Sequence, residues 1–599
     1  MAFRQFLHPL SSLKVAGLLL SLAWLPHLLH AQVDRADYRG YDFIPPMDIP
    51  VSLAGNFGEL RTNHFHAGLD IRTEGREGIP VRSVADGHVS RIKISPFGYG
   101  NVLYVEHPNG YTSVYAHLSE FNDAITAFVR KVQQARQTFA IELFPGRTEL
   151  KVKQGDTIAL SGNSGSSGGP HLHFELRETR SEIPVNPLLF DFIPIRDQRN
   201  PRPRYLKIYP QGDSSRITVT YPSGKTYDRT HAPIKLRLTG NGRQYRIYGN
   251  PTLSGNGVLG FSIEAYDYHN GSGFRLGIYD LKMYHNGRQL YGHVMDKVSF
   301  FETRYINSHM DYMEKTRYNN RFMCTHLDPG NKLSIYTEVK ERGLVYVLPG
   351  DTHRIQFVLT DEHGNRAVTD LDIRGKPSNP NISEATMGPD IVRYLPYDAP
   401  STYLDDGIRL RFRAGSFYQQ VPFTYHRGDT LRGAYSPVYQ VHDPMTPVHR
   451  RYSLSLDGSG VPTRLRDYAV IVRSDHYKRR RSEGGRWQGD WLTARPRYFG
   501  AFFIDVDTLQ PRIRPLNIYN NKYMGRHAQI RVAISDDLAG IDSYRATIDG
   551  EWVLMAYDGK YGLITHTFKE DLKPGKHLFE LEVTDKVGNK GRIRLPFRR

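Results

Sequence analysis

The stretch His171-Leu172-His173-Phe174-Glu175-Leu176-Arg177 decides how this chain reads. Apolar and polar residues alternate along it, the period-2 pattern of a half-buried strand. Leu172, Phe174 and Leu176 then face a core, and His171, His173, Glu175 and Arg177 share the opposite face. Imidazoles at i and i+2 of a strand stand about 6.6 Å apart at their Cα atoms. One can bind a metal while the other reaches a molecule held beside it.

Two further runs supply matching chemistry. In His66-Ala67-Gly68-Leu69-Asp70 an imidazole and a carboxylate lie four residues apart. Gly68 and the following Ile71-Arg72-Thr73 argue against a helix. The spacing predicts a tight turn at Gly68 that enters a strand and folds both side chains toward one point. Zinc accepts imidazole nitrogen and carboxylate oxygen at about 2.0–2.2 Å, and catalytic zinc sites keep three protein ligands and leave a fourth position to water. His66, Asp70 and one histidine of the His171/His173 pair complete such a set, which would acidify a bound water toward a pKa of about 7. The third run ends at His117. Tyr111–Leu118 reads as a strand after the Asn109-Gly110 hairpin signal, and alternation puts His117 on the face of Tyr111, Ser113 and Tyr115. A neutral imidazole there is suited to moving a proton from water to a leaving amine. His64, His88 and His107 read as surface or satisfied core histidines.

Taken in order, these motifs resemble the lysostaphin/LytM-type zinc endopeptidases, which cut peptide cross-bridges in bacterial cell walls. Supporting matches are Ala85-Asp86-Gly87, Gly98-Tyr99-Gly100-Asn101, Lys153-Gln154-Gly155-Asp156 and Gly162-Asn163-Ser164-Gly165. The resemblance spans roughly residues 50–190. It implies a mainly β fold with the family's sheet architecture, the duplicated hybrid motif. It implies Zn2+ held by His66, Asp70 and His173, with His117 and His171 as catalytic histidines. One of the two is then the base and the other serves the oxyanion or leaving group; His171 as base is the first choice, and the reverse split stays open. Peptidoglycan stem peptides are the implied substrate. Some relatives have lost ligands and only activate a cell wall amidase; here all five positions are present, which favours an enzyme.

Residues 121–149 form an insertion between the Tyr115-Ala-His-Leu118 run and Lys153. Asn122 or Asp123 is placed to cap a helix whose apolar positions are Ile125, Phe128, Val129 and Val132. Such a helix either packs outside the sheet or walls the substrate groove. The loop Gly162–Gly169 lacks the Lys-Ser/Thr ending of a P-loop and reads as a groove edge where backbone approaches an extended peptide. No His-Glu-x-x-His run occurs, which excludes a thermolysin-like helix site.

Residues 1–31 read as a signal peptide, with Arg4 and Lys14, an apolar core at Val15–Leu25, and Leu29-His30-Ala31 before cleavage. The apolar stretch is short for a membrane span, and no later segment is fit to cross a bilayer. The expected location is exported: periplasm, cell surface or secreted. Cys324 is the sole cysteine and cannot form an intrachain disulfide. The formal charge of +17 is scattered; in an exported chain it points to acidic wall or envelope polymers and not to nucleic acid.

A chain of 599 residues predicts several domains. The peptidase region is expected over 38–195, a β-sandwich module over 205–375, a β-rich module of unnamed type over 378–505, and an immunoglobulin-like β-sandwich over 508–599. Asp197–Arg204, Gly375–Asn381 and the neighbourhood of Asp507–Pro511 read as linkers. Two stretches look related to each other, Phe261–Tyr291 and Ile530–Leu554, each followed by a T-D-x-x-G-N signal at Thr360–Asn365 and Thr584–Asn589. Short alternating strands between turns fit β-sandwich modules. They serve as scaffold or wall-docking units, and an adhesin-like protein dominated by them is the remaining alternative.

Overall fold

The computed structural model describes residues 38–377, 390–475, 479–568 and 572–599. The expected signal peptide, residues 1–31, and part of the linker after Gly375 lie outside the described residues. No helix among the described residues is long and apolar enough to cross a membrane.

The first part of the chain is built on β1 (Leu53–Gly55), β2 (Leu69–Arg72), β3 (Pro80–Arg82), β4 (Gly87–Ile94), β5 (Asn101–Glu106), β6 (Tyr111–Leu118), β7 (Glu120–Phe121), α1 (Asp123–Arg136), β8 (Ile141–Leu143), β9 (Lys151–Val152), β10 (Thr157–Leu160), β11 (His171–Glu178) and β12 (Pro184–Val185). The main sheet runs β1-β2-β11-β6-β5-β4-β8, with β12 added to β11 and β9 to β4; β3-β10-β7 form a second, small sheet. The decisive stretch therefore lies at the centre, as β11. Its alternation is real: Leu172, Phe174 and Leu176 are fully buried in the core with Leu69, Ile71 and Tyr115. Antiparallel register sets His173 opposite Asp70 on β2 and opposite Ala116 on β6, while Phe174 faces Leu69 and Tyr115. Directly paired residues project to one face, so His173 and Asp70 meet on the side away from the core.

Gly68 allows the entry to β2. A Cβ there would sit 2.2 Å from the Phe174 carbonyl oxygen, so only glycine permits this approach. The insertion forms α1, capped by the Asn122 side chain accepting the Ile125 N–H at 3.0 Å. Ile125 and Val129 are buried in the main core, and Phe128 and Val132 pack at its edge.

Residues 202–375 form one continuous twelve-stranded sheet. Its long strands Arg202–Thr220 and Thr252–Tyr266 pair along most of their length, with register shifts between Gln211 and Arg216. A bulge bends and twists a strand, so long strands stand where short ones were expected. The apolar core runs unbroken from Tyr38 to Ile373, joining this region to the first. Residues 391–506 carry a six- and a five-stranded sheet around their own core, and residues 512–598 a four- and a five-stranded sheet around another.

The two related stretches share connectivity. Asp280–His285 pairs with Arg288–Val294 and with Thr352–Thr360, just as Ile541–Ile548 pairs with Glu551–Trp552 and with Lys576–Asp585. Both T-D-x-x-G-N turns close identically: the side-chain amide of Asn365 or Asn589 donates to Asp361 or Asp585 at 2.7 Å.

Candidate metal centre

The three expected ligands converge. His66 Nε2, Asp70 Oδ1 and His173 Nδ1 form a triangle with sides of 2.9, 2.9 and 3.0 Å, from residues 107 positions apart at the extremes. All three are buried. What surrounds them sets which nitrogen carries hydrogen. His66 Nδ1 faces the Asn56 carbonyl at 2.7 Å and donates to it. His173 Nε2 donates to Glu175 Oε1 at 2.8 Å. In the neutral rings both inner nitrogens are therefore lone pairs, turned toward each other and toward a carboxylate oxygen. Such a donor set calls for positive charge at its centre, and imidazole, imidazole and carboxylate are ligands that zinc accepts. The donors present fit a metal ion.

Asp70 is further oriented by Arg61, whose Nη2 donates to Oδ2 at 3.0 Å and leaves Oδ1 for the centre. Burial acts to raise the Asp70 pKa, but the surrounding imidazoles outweigh it and hold the carboxyl well below its usual range. Burial acts to lower His173, and Asp70 and Glu175 overcome this and push it up to about 9. Glu175 is itself fully buried, a cost offset by Arg177 and His173, which bring it down to about 2. Arg177 Nε donates to Glu175 Oε2 at 2.7 Å, and the Tyr99 hydroxyl donates to Oε1. This His173–Glu175–Arg177 relay went unassigned in the sequence, although its signal was present: the three residues stand at i, i+2 and i+4 on one strand face.

His117 and His171 flank the centre, with ring centroids 4.8 Å apart. His171 Nδ1 faces the Gly169 carbonyl at 2.8 Å, and its Nε2 lies 3.4 Å from Asp70 Oδ1. His117 Nδ1 donates to the Ser164 carbonyl at 2.9 Å. Burial, then the adjacent His173 and His171, push its imidazole down to about 3, so it is neutral. The expectation that His117 shares a face with Tyr111, Ser113 and Tyr115 is corrected. Tyr115 points into the core, whereas His117 adopts a left-handed backbone with φ +61°. That twist breaks the alternation and turns the ring to the side of His171 and His173. Sequence periodicity carries no signal for it. The Gly162–Gly169 loop supplies the support: Ser164 Oγ accepts from Asn101 N–H and donates to the Leu118 carbonyl, which positions the carbonyl that holds His117.

An open cleft of about 500 Å³, lined by Lys93, Phe97, Tyr99, Val102, Tyr104 and Phe300 among others, borders the centre; the Tyr99 ring stacks on His173 at 5.2 Å. The C-terminal module touches its rim. Tyr557 packs edge-on against Phe97, the Gly559 N–H donates to Pro96 O at 3.3 Å, and Lys560 contacts the Asn163 carbonyl. The same module meets the end of α1, where Arg545 contacts Gln137. The helix thus joins the core on one face and borders this module on another.

Comparison with known proteins gives this region a family. The family model "Peptidase family M23" matches residues 64–137 and 145–187, and a "Zu5-like domain" matches residues 392–507. The chain is 35% identical over 129 residues to DD-carboxypeptidase/endopeptidase Mpg of Neisseria meningitidis serogroup B, covering 22% of this chain and 23% of that protein. It is 31% identical over 137 residues to peptidoglycan DD-endopeptidase ShyA of Vibrio cholerae, covering 22% and 26%. The match thus spans about a quarter of the length of these relatives. Among solved structures, the catalytic domain of lysostaphin from Staphylococcus simulans is 23% identical, covers 26% of this chain and 93% of its own, and has a TM-score of 0.16. A zinc-containing peptidase from Vibrio cholerae is 26% identical, with coverage of 25% and 40% and a TM-score of 0.18. This mostly β chain carries a region, residues 64–187, that matches peptidase family M23, followed by further β-sheet modules.

Proposed function

We propose that the chain is an exported, zinc-dependent metalloendopeptidase that hydrolyses peptide cross-links of bacterial peptidoglycan. The observation that carries this reading is the triangle of His66 Nε2, Asp70 Oδ1 and His173 Nδ1, with outer hydrogen bonds that leave all three as lone-pair donors. The endopeptidase names of the relatives support the substrate class.

Zinc bound by these three residues supplies Lewis-acid polarisation of a carbonyl and acidification of water. The chain's own residues do the rest. His117, neutral and with Nδ1 committed to Ser164, presents Nε2 as an acceptor and is placed to take a proton from water. His171 lies between two acceptors, the Gly169 carbonyl and Asp70 Oδ1, and is placed to hold a proton for the oxyanion or the leaving amine. Of the two splits of roles that the sequence leaves open, this is the one with His117 as base. The Tyr99–Lys93–Phe300 cleft gives an extended peptide a bed beside the centre.

Sacculi incubated with the zinc-loaded full chain should release fragments with new amine ends, detected by mass spectrometry and absent after chelation. His173→Ala should lose both zinc retention and cleavage. Wall binding without new amine ends would instead establish the noncatalytic regulator.

A further inference from the structure

A second cluster of ligand-type residues lies outside the metal centre. Asp197 belongs to the segment that leaves the M23 region, Asp267 follows the strand Thr252–Tyr266, and Asp361 opens the turn after Thr352–Thr360. One oxygen of each lies within 4.8 Å of the others. Asp267 is 0% exposed, yet neither of its carboxylate oxygens has a hydrogen-bond partner of good geometry; the adjoining Tyr268 N–H only approaches it. Glu362, buried beside it, has an oxygen, Oε2, with no hydrogen-bond partner of good geometry, though the Asn186 side chain approaches the carboxyl. His269 Nε2 stands 3.9 Å from Asp267, beyond hydrogen-bond reach. The neighbouring Arg199 directs Nη1 to the carbonyls of His269 and Ser272 at 3.0 and 2.8 Å. Burial, then Glu362, Asp361 and Asp197, push Asp267 up to about 9. Buried carboxylates aimed at one another take up either protons or a cation.

The related C-terminal module repeats the arrangement with Asp507, Asp536 and Asp585. In each copy the first aspartate accepts the N–H two residues on, from Arg199 at 3.1 Å or Leu509 at 3.2 Å. In each, the third accepts the backbone N–H of the turn asparagine, Asn365 or Asn589. The histidines do not repeat: Leu538 and Val587 stand where His269 and His363 do. The common part is oxygen alone, the preference of a hard cation and not of zinc.

We propose that Asp197, Asp267 and Asp361, with Glu362, bind a hard divalent cation of the calcium class, which pins the segment leaving the M23 domain to the β module that follows. The site is independent of the catalytic reading. Full-length protein is stripped of divalent ions, reloaded with one equivalent of zinc and dialysed to equilibrium against calcium. Asp267→Asn should retain one calcium fewer per chain than the unmodified protein and lose part of the calcium-induced rise in Tm, while His173→Ala keeps the full calcium count. Should Asp267→Asn not fold, Asp197→Asn, outside the strands, reads the same loss. An equal calcium count in the unmodified chain and these variants would overturn the proposal. So would a second zinc equivalent, bound when the stripped protein is dialysed against excess zinc in place of calcium and lost in His269→Gln.

Discussion

The two ends of β6 hold buried histidines that differ in one respect. At the β5–β6 turn, His107 Nδ1 donates to the Asp86 carbonyl at 2.9 Å and Nε2 accepts from the Ser113 hydroxyl at 2.7 Å. Ser113 Oγ lies 2.9 Å from the Tyr115 hydroxyl, which accepts the Val84 N–H at 3.0 Å. Every polar atom of that corner is paired, and the ring is a structural strut. At the other end, His117 is held by Nδ1 alone, and its Nε2 has no protein partner among the described residues. A ring satisfied on both sides can only hold; a ring satisfied on one side is oriented and still available. Burial by itself does not separate the two, since both are buried.

The largest expected effect falls on the half-satisfied end. His117→Ala and His171→Ala should each lower kcat by about 10²–10⁴-fold while zinc content stays at one per chain. Removing the base should erase the acid limb of the rate profile, and removing the proton donor the alkaline limb; loss of zinc in either variant would break the comparison. Next, Glu175→Gln should weaken metal affinity by about 10–100-fold, measured by competition with a chelator, because it replaces the anionic acceptor that orients and polarises His173 with a neutral one. An unchanged affinity would show that Glu175 serves only Arg177.

His107→Gln belongs to the satisfied end. It should cost about 1–3 kcal/mol of stability, read as a lower denaturation midpoint, and leave zinc content and turnover per folded molecule intact. The smallest effect is its pH dependence. Burial lowers the His107 pKa, so between that value and the ordinary value of about 6.5 the unfolded chain binds the proton and the folded chain does not. The contribution of this histidine is full above about pH 6.5 and declines as pH falls toward the folded pKa. The gap in Tm between pH 7.5 and pH 5.5 should shrink in His107→Gln, and an unaltered gap would assign the acid sensitivity elsewhere.

Much of the centre was legible because it is local. The alternation in β11, the turn at Gly68 and the capped helix at Asn122 are read from neighbours along the chain, and the structure places each where the pattern does. The strand Tyr111–Leu118 also formed with the expected bounds. The face of His117 was misread because period 2 assumes extended backbone at every residue, and one left-handed φ cancels the rule. Arg61 and the Asn56 carbonyl gave no signal, since each acts through contacts set by packing. The continuity of the sheet over 202–375 gave no signal either, since its pairing joins strands far apart along the chain.

By itself the sequence determined which residue types are present, their order, and the strand face that His171, His173, Glu175 and Arg177 share, because side-chain direction in an extended chain follows from stereochemistry. Only the tertiary structure decided which nitrogen of each imidazole is free, that His117 turns toward His171 and His173, and that Asp197, Asp267 and Asp361 meet. Those outcomes depend on register and on backbone groups brought from elsewhere in the chain, and no local rule encodes where such groups arrive.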